Sequence, residues 1–429
     1  MTRKTAVPEL PLPIDVRSEI GRLDAVLLHT PGLEVENMTP RMAQRALYSD
    51  ILNLSIARRE YEQIEGVLSQ VARVYQVTDL LAKVLDQPEP RRRLLTKICI
   101  DEQAGGYFDM LMEMSTPQLV RALIEGLPAR IDTLTAFLNE DYYALFPLYN
   151  FYFTRDSSVT MGSHALLCRM ANQVRSREAT IMEAIYRHSG CFDVQTIDLR
   201  NAVPTKGPLY IEGGDVQVVR DDLLVVGNGM RTSAAGVDAL TQRICEIRKE
   251  GKVNILVQQL PSSPESFIHL DMVFTQLDRD QCMVFAPLIL HDRSFKTVQI
   301  TIEGGRVSRI RGVNGLLPAL RNLGVDLEPI PCGGTADSWV QEREQWHSGS
   351  NLFAVAPGKV LCYSRNEATL AELDKSGYAV LAANDVIAGK CRIQDYPKCC
   401  ITLQGSELPR GGGGARCMTM PLSRRAVQW

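Results

Sequence analysis

The sequence predicts an α/β fold built from a recurring strand-rich unit, with a helical subdomain inserted in its first third. Three observations predict it. Short apolar strands dominate from residue 147 onward, while apolar residues three and four apart fill much of the stretch from 40 to 146. Polar residues at strand edges recur: Asp156, Glu212 and His269 follow one another at 56 and 57 residues. A spacing of that size is the signature of one supersecondary unit repeated around an axis.

RLDAVLLHT, at 22–30, reads as the first strand, from its β-branched and alternating apolar residues. From Pro40 to about Leu85 the pattern turns helical, as in Ala57, Tyr61, Ile64, Leu68 and Val71. Further along, Ser115, Thr116 and Pro117 supply a cap and a first-turn proline, and Gly126 a terminator. The predicted division is a first portion at 1–77, a helical insertion at 78–146 and a strand-rich remainder at 147–429. That remainder holds SSVTMG, VQVV, LLVVG, MVFTQL, CMVFAP and NLFAVAPGKVLCYSR, with a helix near 236–250.

A chain of 429 residues with 45% hydrophobic residues can bury a large core. Its 47 basic and 50 acidic residues leave a net charge of −3, which gives no electrostatic case for nucleic acid or an anionic membrane. The start of the chain is broken by prolines and acids where a signal peptide needs an apolar run, and no run of about 18 apolar residues occurs, so a cytoplasmic location is expected. The eleven cysteines form no CxxC pair and the six histidines no HxxxH or HxH pair, so neither a metal site nor a disulfide framework is expected. Most of the cysteines read as buried small hydrophobes; the adjacent Cys399 and Cys400 are the one pair with a redox reading.

Four segments carry chemistry in combination: FTRD at 153–156, EGGD at 212–215, HLD at 269–271 and RGGGGARCMTMP at 410–421. Each alone has a plain alternative. FTRD also reads as an ion-paired strand start, and EGGD as a tight turn whose glycines permit close backbone approach. His269 and Asp271, two apart, would share one face of a strand and address one small ligand. The run Gly411–Gly414 reads as a loop that closes over a ligand and delivers Cys417, or as a linker, and Cys417 itself as a nucleophile or an inert core thiol.

Together the segments resemble the arginine deiminase family of the guanidine-modifying α/β-propeller, or pentein, superfamily. The likeness runs from about Arg22 to the end of the chain, and is densest in CGGTADSWVQEREQWHSGSNLFAVAPGKVLCYSRN at 332–366 and ARCMTMPLSRR at 415–425. It implies a five-bladed pseudo-symmetric α/β propeller with an inserted helical bundle. It also implies cofactor-free hydrolysis of free L-arginine to citrulline and ammonia, as in fermentative arginine breakdown. A planar, resonance-stabilised guanidinium must be held by carboxylates while a nucleophile attacks its central carbon.

The family's motifs match Asp156 and Asp271 to that clamp and Cys417 to the nucleophile that forms an amidino thioether. They match His269 to the general acid and base, and Glu212 to the group that orients it and raises its pKa. Arg175 and Arg231, each 19 residues after its partner carboxylate, match the residues that bind the substrate's α-carboxylate, though alone both read as surface arginines. Asn150 and Phe153 match contacts to the amino-acid end and aliphatic stem. Many relatives carry an arginine where this chain has Gly412; Arg410 is the candidate to replace it.

The resemblance thus implies a small-molecule partner, L-arginine, with no nucleic acid, membrane or cofactor, and leaves homo-oligomerisation open. The alternatives are a deiminase or amidinohydrolase for agmatine, methylated arginine or peptidyl arginine, an amidinotransferase, and a non-catalytic arginine sensor.

Overall fold

The computed structural model describes residues 10–45, 48, 50–139, 142–204 and 206–429. Among them one local pattern recurs five times: an antiparallel hairpin, a covering helix, and a further strand that returns parallel to the hairpin's second strand. Ser158–Met161 and His164–Leu167 form such a hairpin, helix Ser176–His188 follows, and Gln195–Asp198 pairs parallel with His164–Leu167. The next unit uses Val216–Arg220, Leu223–Asn228, helix Ala234–Ile247 and Lys252–Gln259. Phe274–Gln276, Gln281–Val284 and Glu328–Pro331 make a third, Phe353–Ala356, Lys359–Tyr363 and Cys399–Leu403 a fourth. The last joins the two ends of the chain: Met420–Arg424 pairs antiparallel with Leu23–Leu28, which pairs parallel with Arg73–Gln76.

The predicted helix after residue 236 is Ala234–Ile247, capped by the Ser233 side chain, which accepts from the Gly236 amide. Ser115 and Gln118 form a capping box on helix Thr116–Ile124, and Gly126 follows at φ +97°, a backbone conformation that costs glycine no Cβ clash. The helical reading of 40–85 is corrected at one point. Arg73–Gln76 is a strand, because its residues pair with Ala25–Leu28 in the sheet, and tertiary pairing overrides the local spacing.

Helices Val77–Leu85, Pro88–Asp101, Phe108–Glu113 and Thr116–Ile124 occupy the span read as an insertion. Their apolar faces share one buried cluster with Leu27, Leu167, Ile181 and Ile185 of the strand-rich units. The adjacent Cys399 and Cys400 do not form a pair. Alternation along the strand sends Cys399 into one core cluster and Cys400 into another, where its Sγ lies 2.9 Å from that of Cys362. All eleven cysteines are free thiols. No helix among the described residues is long and apolar enough to cross a membrane.

The segment leading to Cys417 is rooted on helix Leu54–Leu68. The buried Glu60 carboxylate accepts from the amides of Ser406, Glu407 and Leu408 and from the Ser406 hydroxyl. Glu60→Ala strands these donors, and should lower unfolding free energy by about 2–3 kcal/mol, read from urea denaturation.

Candidate active site

Each of the five units places a polar residue in the turn just before its first strand, and those turns converge. Asp156 lies in the turn Thr154–Ser157 before Ser158, Glu212 and Asp215 flank the turn before Val216, and His269 and Asp271 precede Phe274. Asn351 precedes Phe353, and Arg416 and Cys417 precede Met420. All of these are buried, none more than 3% exposed.

Glycines allow this approach. A Cβ on Gly213 would lie 2.0 Å from the Arg155 carbonyl oxygen, and one on Gly214 would lie 2.5 Å from His269 Nδ1. The EGGD turn therefore needs both glycines for close packing. His269 and Asp271 sit on a tight 3-10 turn, Leu270–Met272, and not on a strand as expected. Asp215 fixes that turn by accepting from the Leu270 amide at 2.8 Å.

The glycine run is closely packed. A Cβ on Gly411 would meet Tyr152 Oη at 2.1 Å, on Gly413 the Phe153 ring at 2.4 Å, and on Gly414 Asn351 at 2.7 Å; Gly412 alone has a positive φ, +88°. Three of the four glycines serve close packing in this structure.

His269 Nε2 lies 2.9 Å from Glu212 Oε2, and Nδ1 faces Asp156 Oδ1 at 3.8 Å. Neither of those last two buried atoms has a hydrogen-bond partner. Burial opposes the imidazolium, but Asp156, Glu212 and Asp215 outweigh it and lift His269 to about 9. Burial likewise opposes the Glu212 carboxylate, and the bond from His269 with the charge of Arg231 holds its pKa below the ordinary range.

Cys417 Sγ lies 3.7 Å from Asp271 Oδ2, and the Asn351 amide donates to it at 3.1 Å. The same Asn351 accepts from the Arg416 and Cys417 amides. Burial, Asp271 and Asp156 push the thiol well above its ordinary pKa, so the resting group is the thiol.

Arg175 is buried and fully engaged. Its Nε and Nη2 donate to Glu178 at 2.9 Å each, Nη1 donates to Asp156 Oδ2 at 2.8 Å, and Nη2 to the Asn150 carbonyl oxygen at 3.3 Å. Arg231 Nη1 lies 3.6 Å from Glu212 Oε1. Phe153 is buried against the glycine run and stacks with Tyr152.

Arg410 is not brought to this centre. Its side chain, 38% exposed, pairs with Asp50 and Glu407 on the outer side of the loop. Sequence reasoning missed Asn351, Arg416 and Glu19, although Arg416 bonds both Asp271 and the buried Glu19; the repeated placement of polar residues before a hairpin's first strand is the signal that finds Asn351. Asp156, Glu212 and His269 offer donor atoms within 4.8 Å of one another, a set able to hold a metal ion. Arg175, 2.8 Å from Asp156 and 3.9 Å from Glu212, already supplies positive charge there.

Comparison with known proteins places the chain at two levels, fold and family. The fold is shared with the N-terminal domain of ArgZ, an arginine dihydrolase from cyanobacteria (TM-score 0.51, 12% identity, 93% of this chain and 97% of that one). It is shared too with SxtG, an amidinotransferase from Microseira wollei (0.52, 13%, 97% and 98%). Unliganded AgrE superposes with TM-score 0.51 and 14% identity over 95% of this chain, which spans 40% of that longer protein.

The chain belongs to the arginine deiminase family, whose model matches residues 44–424. It is 32% identical to the arginine deiminase of Listeria innocua, covering 96% of this chain and 98% of that protein. It is 31% identical to that of Streptococcus gordonii, covering 97% and 99%.

The raised His269 has a measurable consequence. Because its folded pKa of about 9 exceeds the ordinary 6.5, its contribution to stability is complete below about pH 6.5 and is lost as pH rises through about 9. Imidazole NMR should show His269 protonated at pH 8, with Glu212→Gln lowering the midpoint; a wild-type midpoint near 6.5 would contradict the geometry.

Proposed function

We propose that this protein is an arginine deiminase, hydrolysing free L-arginine to L-citrulline and ammonia through a covalent amidino thioether on Cys417. The observation that supports it best is the burial of a thiol, two clamping carboxylates and a carboxylate-bound imidazole on turns that meet at one centre. We read the five strand units as the blades of a ring, with the helices of 78–146 as an insertion between flanking portions 1–77 and 147–429. The reaction is read as metal-free and cofactor-free, in a cytoplasmic protein.

The substrate guanidinium lies between Asp156 and Asp271, which hold its N–H groups and fix its plane against Cys417. Its positive charge offsets the two carboxylates that disfavour thiolate, so Cys417 loses its proton to solvent as substrate binds. The thiolate attacks the guanidinium carbon to give a tetrahedral adduct. His269, held by Glu212, gives a proton to the departing nitrogen, and ammonia leaves the amidino thioether. His269 then takes a proton from water as that water attacks the same carbon; collapse breaks the C–S bond, the hydroxyl proton passes to the departing Cys417 sulfur, and citrulline forms.

Arg231 and Arg175 would receive the α-carboxylate. For Arg175 this requires release of Asp156, since its guanidinium now occupies the carboxylate that the substrate needs. Cys417, His269, Asp156 and Asp271 are all buried, so the closed centre must open to admit arginine.

Incubation of the purified protein with L-arginine, and with agmatine in parallel, tests the reading without added metal. Equimolar citrulline and ammonia from arginine, with agmatine inert, is the expected result, and Cys417→Ala should abolish turnover while keeping the fold. Turnover of agmatine alone would contradict the roles of Arg175 and Arg231. Stabilisation by arginine without any turnover would make the protein a sensor.

A further inference from the structure

Behind the nucleophile, Asp271 is joined to charges that the reaction as written does not use. Arg416 sends Nη1 to Asp271 Oδ2 at 2.8 Å and presents Nε and Nη2 to Glu19 Oε2 and Oε1 at 3.1 and 3.2 Å. Its remaining donors reach the carbonyl oxygens of Val216 at 2.9 Å and Gly214 at 3.4 Å. Glu19 Oε1 also accepts from the Val218 amide at 3.2 Å. Arg416, Glu19 and Asp271 are 2%, 6% and 0% exposed.

Two more buried guanidiniums adjoin this relay. Arg155 and Arg424 sit over the Phe353 ring at 5.9 and 5.0 Å, and neither forms an ion pair among the described residues. Burial disfavours the Glu19 carboxylate, yet Arg416, Arg155 and Arg424 together hold it down at about 2. Three buried cations therefore share two carboxylates, and one of those is Asp271.

We infer that Glu19 is a positioning residue: by taking up the charge of Arg416 it leaves Asp271 free to hold the substrate guanidinium. The inference rests on the reading of Asp271 as a substrate clamp. Without the Glu19 charge, Asp271 becomes the nearest counter-ion of the arginine cluster. Two effects of opposite sense follow. The hold on substrate weakens, while the uncompensated cations beside Cys417 favour its thiolate. The charged and titratable groups around Cys417 are Asp271, Asp156, Arg416, Tyr152 and Tyr363, with His269 beyond Asp156. Of these, only Asp271 and Arg416 answer directly to Glu19.

The test is Glu19→Gln, with Cys417 alkylation by iodoacetamide followed across pH and steady-state kinetics run on arginine. The alkylation midpoint should fall by about one pH unit. KM should rise about tenfold, as expected for a weakened charge-assisted hydrogen bond, and kcat should fall by less. Glu19→Asp keeps the charge, so it should leave the midpoint in place while raising KM by a smaller factor; it also carries the test if Glu19→Gln does not fold. An unmoved midpoint in Glu19→Gln, or wild-type KM in both variants, overturns the assignment. If the wild type makes no citrulline, the arginine reading falls, whereas alkylation needs no turnover and still decides whether Glu19 sets the charge balance beside Cys417.

Discussion

Asp156, Glu212, Asp271, Glu178 and Glu19 are buried close to one another, and almost every other feature of the centre answers to that negative charge. An isolated buried carboxylate is costly, so each is joined to a cation or to backbone donors. Arg175 takes Glu178 and Asp156, Arg416 takes Glu19 and Asp271, and His269 takes Glu212. The same charge keeps Cys417 protonated at rest and His269 protonated well above neutrality. A cationic, planar ligand suits such a centre, because it brings positive charge to carboxylates that Arg175 and Arg416 now neutralise.

Holding this charge together requires a rigid frame. The recurring hairpin, helix and parallel strand provide it, because each unit offers a polar side chain in the turn before its first strand. The first and last strands of the chain pair with one another, so the segment bearing Cys417 is tied to Leu23–Leu28 on one side and, through Glu60, to helix Leu54–Leu68 on the other. Close packing at Gly213, Gly214, Gly411 and Gly413 then leaves the imidazole and the thiol little freedom.

Much of this was legible in the sequence. The strands from 158 onward, the helix after Ser233 and the capped helix after Ser115 are set by local apolar periodicity and capping. The residues grouped by resemblance, Asp156, Glu212, His269, Asp271 and Cys417, meet at one centre. What failed has physical causes. Arg73–Gln76 became a strand through pairing with a distant neighbour, and HLD became a 3-10 turn because Asp215 captures the Leu270 amide. Arg410 found Asp50 and Glu407, which no spacing near Cys417 reveals. Glu19 lies 398 residues before Cys417, outside every motif, and only the fold brings them together.

The central claim is that Cys417 carries the substrate's carbon covalently between two half-reactions. Rapid acid quench of a reaction with L-arginine labelled with ¹³C at the guanidino carbon, followed by peptide mass spectrometry, tests it most directly. The account predicts a labelled adduct of arginine less ammonia on the peptide containing Cys417, formed and lost at rates compatible with turnover. Citrulline formation with no adduct at any time, in an enzyme whose Cys417→Ala variant remains active, would contradict it.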